Sequence, residues 1–190
     1  MQARLHKTIA VVGMMGAGKT AVGQALARRL GVAFVDSDEE IERAAAMTIA
    51  EIFARDGEAF FRLKEAQVIA RLLADTPCIL STGGGAFMQP NNRAAIAASG
   101  CAVWLQADLD LLWSRVRHKT TRPLLRTENP RETLRSLSET RAPIYAQAQI
   151  SVEARPGLSI EDMAVLVIDA VAAQRPDVLE LQQGDDVHGH

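Results

Sequence analysis

A chain of 190 residues, 48% apolar and 23% charged, has enough material for one globular domain with a substantial core. A formal charge of −2 excludes a generally basic binder of nucleic acid or membrane surfaces, and no apolar run approaches the ~20 residues that a membrane span needs. The start, MQARLHKTIAVVG, has too short an apolar stretch for a secretion signal and no small-residue cleavage site behind it, so a soluble cytoplasmic protein is expected.

In chain order, Thr8–Val12 reads as the first strand, and it leads into GMMGAGKT, Gly13 to Thr20. That segment fits G-x-x-x-x-G-K-[ST] at every fixed position, a match that average composition would produce by chance on the order of one time in a hundred. The residue types explain the chemistry. Glycines let backbone N–H groups curl around phosphate oxygens, and the N-terminus of the next helix adds positive dipole. Lys19 reaches the β- and γ-phosphates, and the Thr20 hydroxyl ligates Mg²⁺. A helix follows over Thr20–Leu30, with Val22, Leu26 and Leu30 on one face, and Gly31 ends it.

The second strand, Ala33–Asp36, runs straight into Asp36, Asp38, Glu39 and Glu40. Ligands of a parallel sheet sit beyond the carboxyl ends of its strands. There Asp36 would hold a metal-bound water, and Asp38 would accept a hydrogen bond from a substrate hydroxyl. The competing role for these acids is to start the helix EEIERAAA, with Ser37 or Asp38 as its cap. Thr48 and Glu51 form a capping box opening TIAEIFARD, and Phe61, Val68 and Leu72 mark one face of the helix after it. Arg62 lies among Phe60, Phe61 and Leu63 and finds a partner in Glu65 at i+3.

Cys78–Thr82 is the third strand, followed by STGGGAF. Three successive glycines either make a tight turn or let a ligand come close to free N–H groups. Ser81 and Thr82 stand where an ATPase often carries an acid, which leaves Asp36 as the metal-side carboxylate. Pro90 opens the helix NNRAAIAAS, Gly100 closes it, and Cys101–Leu105 is the fourth strand. Cys78 and Cys101 read as buried thiols. A helix over Asp108–Arg117 precedes RHKTTRPLLRTENPRE, 117 to 132, an irregular stretch in which Arg122 is placed to close over phosphates. Arg141 sits in TRAPIY, just before a helix-disturbing proline; a guanidinium fork suits a carboxylate. The fifth strand is Gln149–Val152 and the last helix Ser159–Ala173; residues 174–190 read as a polar, disordered tail. Alternating strands and helices give an α/β class with a parallel sheet covered on both faces.

Together the phosphate loop, FVDSD, DGEAFFRLKE, GGG, RPLL and RAPIY resemble the shikimate kinase family over roughly residues 7–170. The resemblance implies a P-loop kinase fold: one domain over 1–173, a five-stranded parallel sheet in the order 2-3-1-4-5, and a mobile lid at about 116–129. It implies transfer of the ATP γ-phosphoryl group to the 3-hydroxyl of shikimate, a step toward chorismate and the aromatic amino acids, with Mg²⁺ as cofactor. By position it implies Asp38, Lys19 and Arg122 as catalytic residues. Around ATP it implies Gly16, Ala17, Gly18, Lys19, Thr20, Ala21 and Arg122, with Arg115 packing on adenine. Around shikimate it implies Asp38, Arg62, Gly84, Gly85 and Arg141, with Glu65 holding Arg62 in place. Thr20 and Asp36 fall on the metal side. No nucleic-acid or membrane partner is implied, and a monomer is expected. Two other readings of the same residues are a P-loop kinase for another small hydroxylated acid, such as gluconate, and a nucleotide-dependent switch protein.

Overall fold

The computed structural model describes residues 2–118 and 126–182. In chain order these form β1 (Gln2–Leu5), β2 (Thr8–Val12), α1 (Lys19–Leu30), β3 (Phe34–Asp36), α2 (Ser37–Ala45), α3 (Ile49–Ala74) and β4 (Ile79–Ser81). A single 3₁₀ turn (Ala86–Met88) then precedes α4 (Pro90–Ser99), β5 (Gly100–Gln106), α5 (Leu109–Val116), α6 (Pro130–Tyr145), β6 (Ile150–Glu153), α7 (Ile160–Gln174) and β7 (Leu179–Gln182).

Five strands form one sheet in the order β3-β4-β2-β5-β6, parallel throughout. Numbered among themselves these are the expected order 2-3-1-4-5. The centre falls to β2 because TIAVV is apolar on both faces and every residue of it is buried. Register then decides which side chains meet at the carboxyl edge. Val11 lies level with Ser81, and Ser81 lies level with Asp36. The acid that ends β3 is thus aligned with the strand end that feeds the phosphate loop.

Local chemistry sets the helix boundaries. Asp36, rather than Ser37 or Asp38, caps α2: its carboxylate accepts the N–H groups of Asp38 at 2.9 Å and Glu39 at 3.2 Å. Thr48 and Glu51 close the expected capping box on α3. That helix breaks at Gly57, where φ is 83° and ψ 172°, a backbone conformation costly to any residue with a side chain. Pro90 opens α4, and Gly100 ends it. Pro143 does not end α6, which runs on to Tyr145. Both cysteines are buried and free.

The supposed tail is corrected by the structure. Leu179–Gln182 forms β7, antiparallel to β1, with Gln2 level with Gln182 and Leu5 level with Leu179. Val178 and Leu179 are fully buried, so apolar burial fixes a segment whose sequence looks polar. Residues 183–190 lie outside the described residues. So do residues 119–125, which include Arg122 and half of the expected lid.

Candidate active site

The phosphate loop leaves β2 and ends on α1. The N-cap of α1 is Gly18 at φ 95°, with no capping side chain and no acid in the first turn. By contrast α2, α3, α5, α6 and α7 are all capped by side chains. The leading N–H groups of α1 are therefore left for an anion, and the helix dipole favours one. Lys19 folds back over the loop, donating from Nζ to the Gly13 carbonyl at 2.8 Å and the Met14 carbonyl at 3.0 Å. Arg115, on α5, donates to the Gly16 carbonyl at 3.0 Å and covers the loop from above.

A cavity of about 660 Å³ opens at this edge. Its walls include Gly16, Ala17, Gly18, Lys19, Thr20, Ala21, Asp36, Asp38, Gly84 and Arg115. Ten of the sequence candidates thus face one space. Arg62, Gly85 and Arg141 do not line it; the two arginines approach the glycine triplet at Gly85 and Gly84.

The three glycines explain how these side chains are gathered. A methyl group built on Gly83 would lie 2.8 Å from an Asp38 carboxylate oxygen. One on Gly84 would lie 3.1 Å from Arg141 Nη1, and one on Gly85 would lie 2.5 Å from Arg62 Nη2. Each successive glycine therefore leaves room for one of the three side chains expected to hold the acid substrate. None of the three has a positive φ, so close approach, not backbone freedom, is what requires glycine here. Arg141 Nη1 also donates to the Gly84 carbonyl at 3.3 Å.

Charge is arranged to match. Arg62 donates to Glu65 at 2.9 Å, lies over the Phe61 ring at 5.2 Å and has Glu58 at 3.6 Å. Glu65 is buried, and burial pushes its carboxyl up, against the pull of Arg62. Asp38 is pushed up from 3.8 to about 6, first by burial and then by Asp36, Glu65 and Glu42; Lys19 opposes the shift. A carboxyl near 6 in a cavity is suited to orienting a hydroxyl and taking its proton.

Two features escaped the sequence reading. Leu158, Ser159 and Ile160, from the β6–α7 turn, complete the cavity wall beside the phosphate loop; Ile160 is exposed, and an exposed isoleucine at a helix start was their only local signal. Tyr145, at the end of α6, donates from its buried hydroxyl toward the Gly84 carbonyl at 2.9 Å and the Gly13 carbonyl at 3.2 Å. No local pattern marks it, because both acceptors come from other parts of the chain.

The chain is similar to known proteins over most of its length. Residues 15–172 match the family described as shikimate kinase. A shikimate kinase of Cereibacter sphaeroides is 67% identical over 183 residues, which is 96% of this chain and 91% of that one. A structure of the Acinetobacter baumannii shikimate kinase in complex with shikimate superposes with a TM-score of 0.81 at 39% identity, covering 89% of this chain and 94% of that one. A gluconokinase from Sinorhizobium meliloti superposes with a TM-score of 0.58 at 19% identity, covering 92% of this chain and 96% of that one; it shares the fold.

Proposed function

The chain belongs to the shikimate kinase family, and from that premise we propose how its residues divide the work. The protein transfers the γ-phosphoryl group of ATP to the 3-hydroxyl of shikimate, giving shikimate 3-phosphate and ADP. The observation that carries the residue assignment is the glycine triplet, which Asp38, Arg141 and Arg62 each approach closely and whose first two glycines line the phosphate-loop cavity.

Phosphoryl transfer needs positioning and charge compensation more than covalent chemistry. Arg62 and Arg141 clamp the substrate carboxylate, each with a planar fork that suits it. Glu65 holds the Arg62 fork in place through its contact at 2.9 Å. That anchorage turns the acceptor hydroxyl toward Asp38, which orients it and accepts its proton as the oxygen–phosphorus bond forms. Lys19 leaves its own loop carbonyls for the phosphate oxygens, while the open first turn of α1 holds them. Arg115 and the Leu158–Ile160 turn wall the side where adenine packs. Arg122 enters this reading as a second phosphate-side cation on the strength of the family match alone.

Mg²⁺ fits the donor set. The Thr20 hydroxyl and the Asp36 carboxylate line the same cavity, and hard oxygen donors with room for water and phosphate are what this ion takes. One Asp36 oxygen is already engaged with the α2 amides, which suits it to hold a metal-bound water. When bound, the ion supplies charge balance at the phosphate oxygens.

Among the described residues no helix is long and apolar enough to cross a membrane. Dependence on ATP supports a cytoplasmic site of action. The deciding experiment is a coupled ADP-release assay run with shikimate, with gluconate and with neither. Release only with shikimate is expected. Equal release with gluconate, or release independent of any acid, would refute the assignment.

A further inference from the structure

An in-line transfer requires two loops to hold a fixed spacing: the one that carries the phosphates and the one that faces the acceptor. In this chain they share a hydrogen-bonded bridge. Lys19 Nζ donates to the Gly13 carbonyl at 2.8 Å, and the Tyr145 hydroxyl reaches the same oxygen at 3.2 Å. The hydroxyl reaches the Gly84 carbonyl at 2.9 Å, and Arg141 Nη1 donates to that oxygen at 3.3 Å. A phosphate-side cation and an acceptor-side cation are thus joined through one phenol.

We propose that the Tyr145 hydroxyl is the positioning group that sets the spacing between the phosphate loop and the glycine triplet. The proposal rests on the reading of the site given above. A phenol has one hydrogen to donate, so it serves one carbonyl at a time and lies between two. Each carbonyl has a second donor, and both of those donors are cations that ligands draw upon. When nucleotide takes Lys19 away from Gly13, the phenol stays to hold that loop. When the acid takes Arg141 away from Gly84, the phenol holds the other. Burial keeps Tyr145 protonated, against the opposing influence of Arg141, so it remains a donor throughout.

The ring itself is fixed independently. It stacks on Trp104 at 5.9 Å and 24°, and on Phe87 at 6.3 Å and 12°, and it is 1% exposed. Tyr145→Phe therefore removes the bridge and leaves the packing. The chain has a single tyrosine, so any tyrosine-directed probe reports on this position alone.

The test compares Tyr145→Phe with the wild type. A lost in-line alignment lowers kcat about 10- to 100-fold. Dissociation constants for ATP and for shikimate, measured separately, stay within about threefold, and more ATP is consumed per shikimate 3-phosphate formed as water competes for the phosphoryl group. Turnover within twofold of wild type overturns the proposal. So does a fall in turnover accompanied by equal losses in both affinities and in thermal midpoint, the pattern of damaged packing. Replacing tyrosine by 3-fluorotyrosine in the otherwise unaltered chain gives a second readout that needs no variant to fold. Its one fluorine resonance is expected to move with a non-hydrolysable ATP analogue alone and with shikimate alone; indifference to either ligand overturns the proposal. Absence of acid-dependent ADP release in the wild type would instead sink the reading of the site on which the proposal stands.

Discussion

Asp38 shows how a single carboxyl ties activity to stability. Its folded value of about 6 lies above the ordinary 3.8 because burial and the neighbouring acids penalise its charge. Its work needs the carboxylate, so kcat/KM should climb as pH rises through about 6 and level off above it. Asp38→Asn should remove that limb and lower turnover at least 100-fold while ATP affinity changes only a few-fold. Near-normal turnover would remove Asp38 from the mechanism. The stability effect has the opposite sign. A raised folded value means the fold holds this proton more tightly than the unfolded chain does. The stabilisation is complete below pH 3.8 and is lost as pH rises through about 6. The gap of some two units corresponds to at most about 3 kcal/mol. Asp38→Asn should therefore melt higher than wild type at pH 8 and lose that advantage near pH 4. The neighbouring glycines allow a cleaner division of labour. Gly83→Ala displaces Asp38 and should lower kcat about tenfold or more, whereas Gly85→Ala displaces Arg62 and should chiefly raise KM for the acid. Both added methyls meet the end of a flexible side chain, so both variants should fold. An exchange of the two kinetic signatures would break the assignment.

At the scale of elements, α3 is two helices joined at a residue that only glycine suits. Gly57→Ala meets no neighbour within 4 Å, so its cost is conformational, about 1–3 kcal/mol for a forced left-handed residue. Because Arg62 follows on the second half, the same change should raise KM for the acid more than it lowers kcat; an unchanged KM would show that the break does not aim Arg62. The two halves were visible in the sequence, as a capping box followed by a fresh apolar face. The sheet strands were visible for a related reason: Thr8–Val12 and Cys101–Leu105 are short apolar runs bounded by glycine, the mark of a strand buried on both faces. Choosing Asp36 over Ser37 or Asp38 as the cap was beyond local reading, because all three are good caps and the sheet register decides. The glycine triplet was legible as a site of close approach, but what approaches it comes from α2, α3 and α6, and spacing along the chain does not carry that information.

The whole molecule depends on a pairing that local reading could not find. QARL and LELQ are short, polar at alternate positions, and carry no turn signal linking them. Yet they form a ribbon held also by Lys7 with Asp177 at 3.0 Å and backed by Val178 and Leu179. Burying those two side chains contributes on the order of 3–5 kcal/mol. Deleting residues 175–190 should therefore lower the thermal midpoint by several degrees, while kcat at low temperature stays near wild type because the cavity lies at the other sheet's edge; an unchanged midpoint would show the ribbon to be dispensable. The partners Lys7 and Asp177 stand 170 positions apart, and this bears on how each molecule is made. During translation β1 stays bare-edged until some 170 further residues have been added and β7 can pair with it. A transcript cut short before β7 thus yields a nascent product with an open edge, available to chaperones or to aggregation.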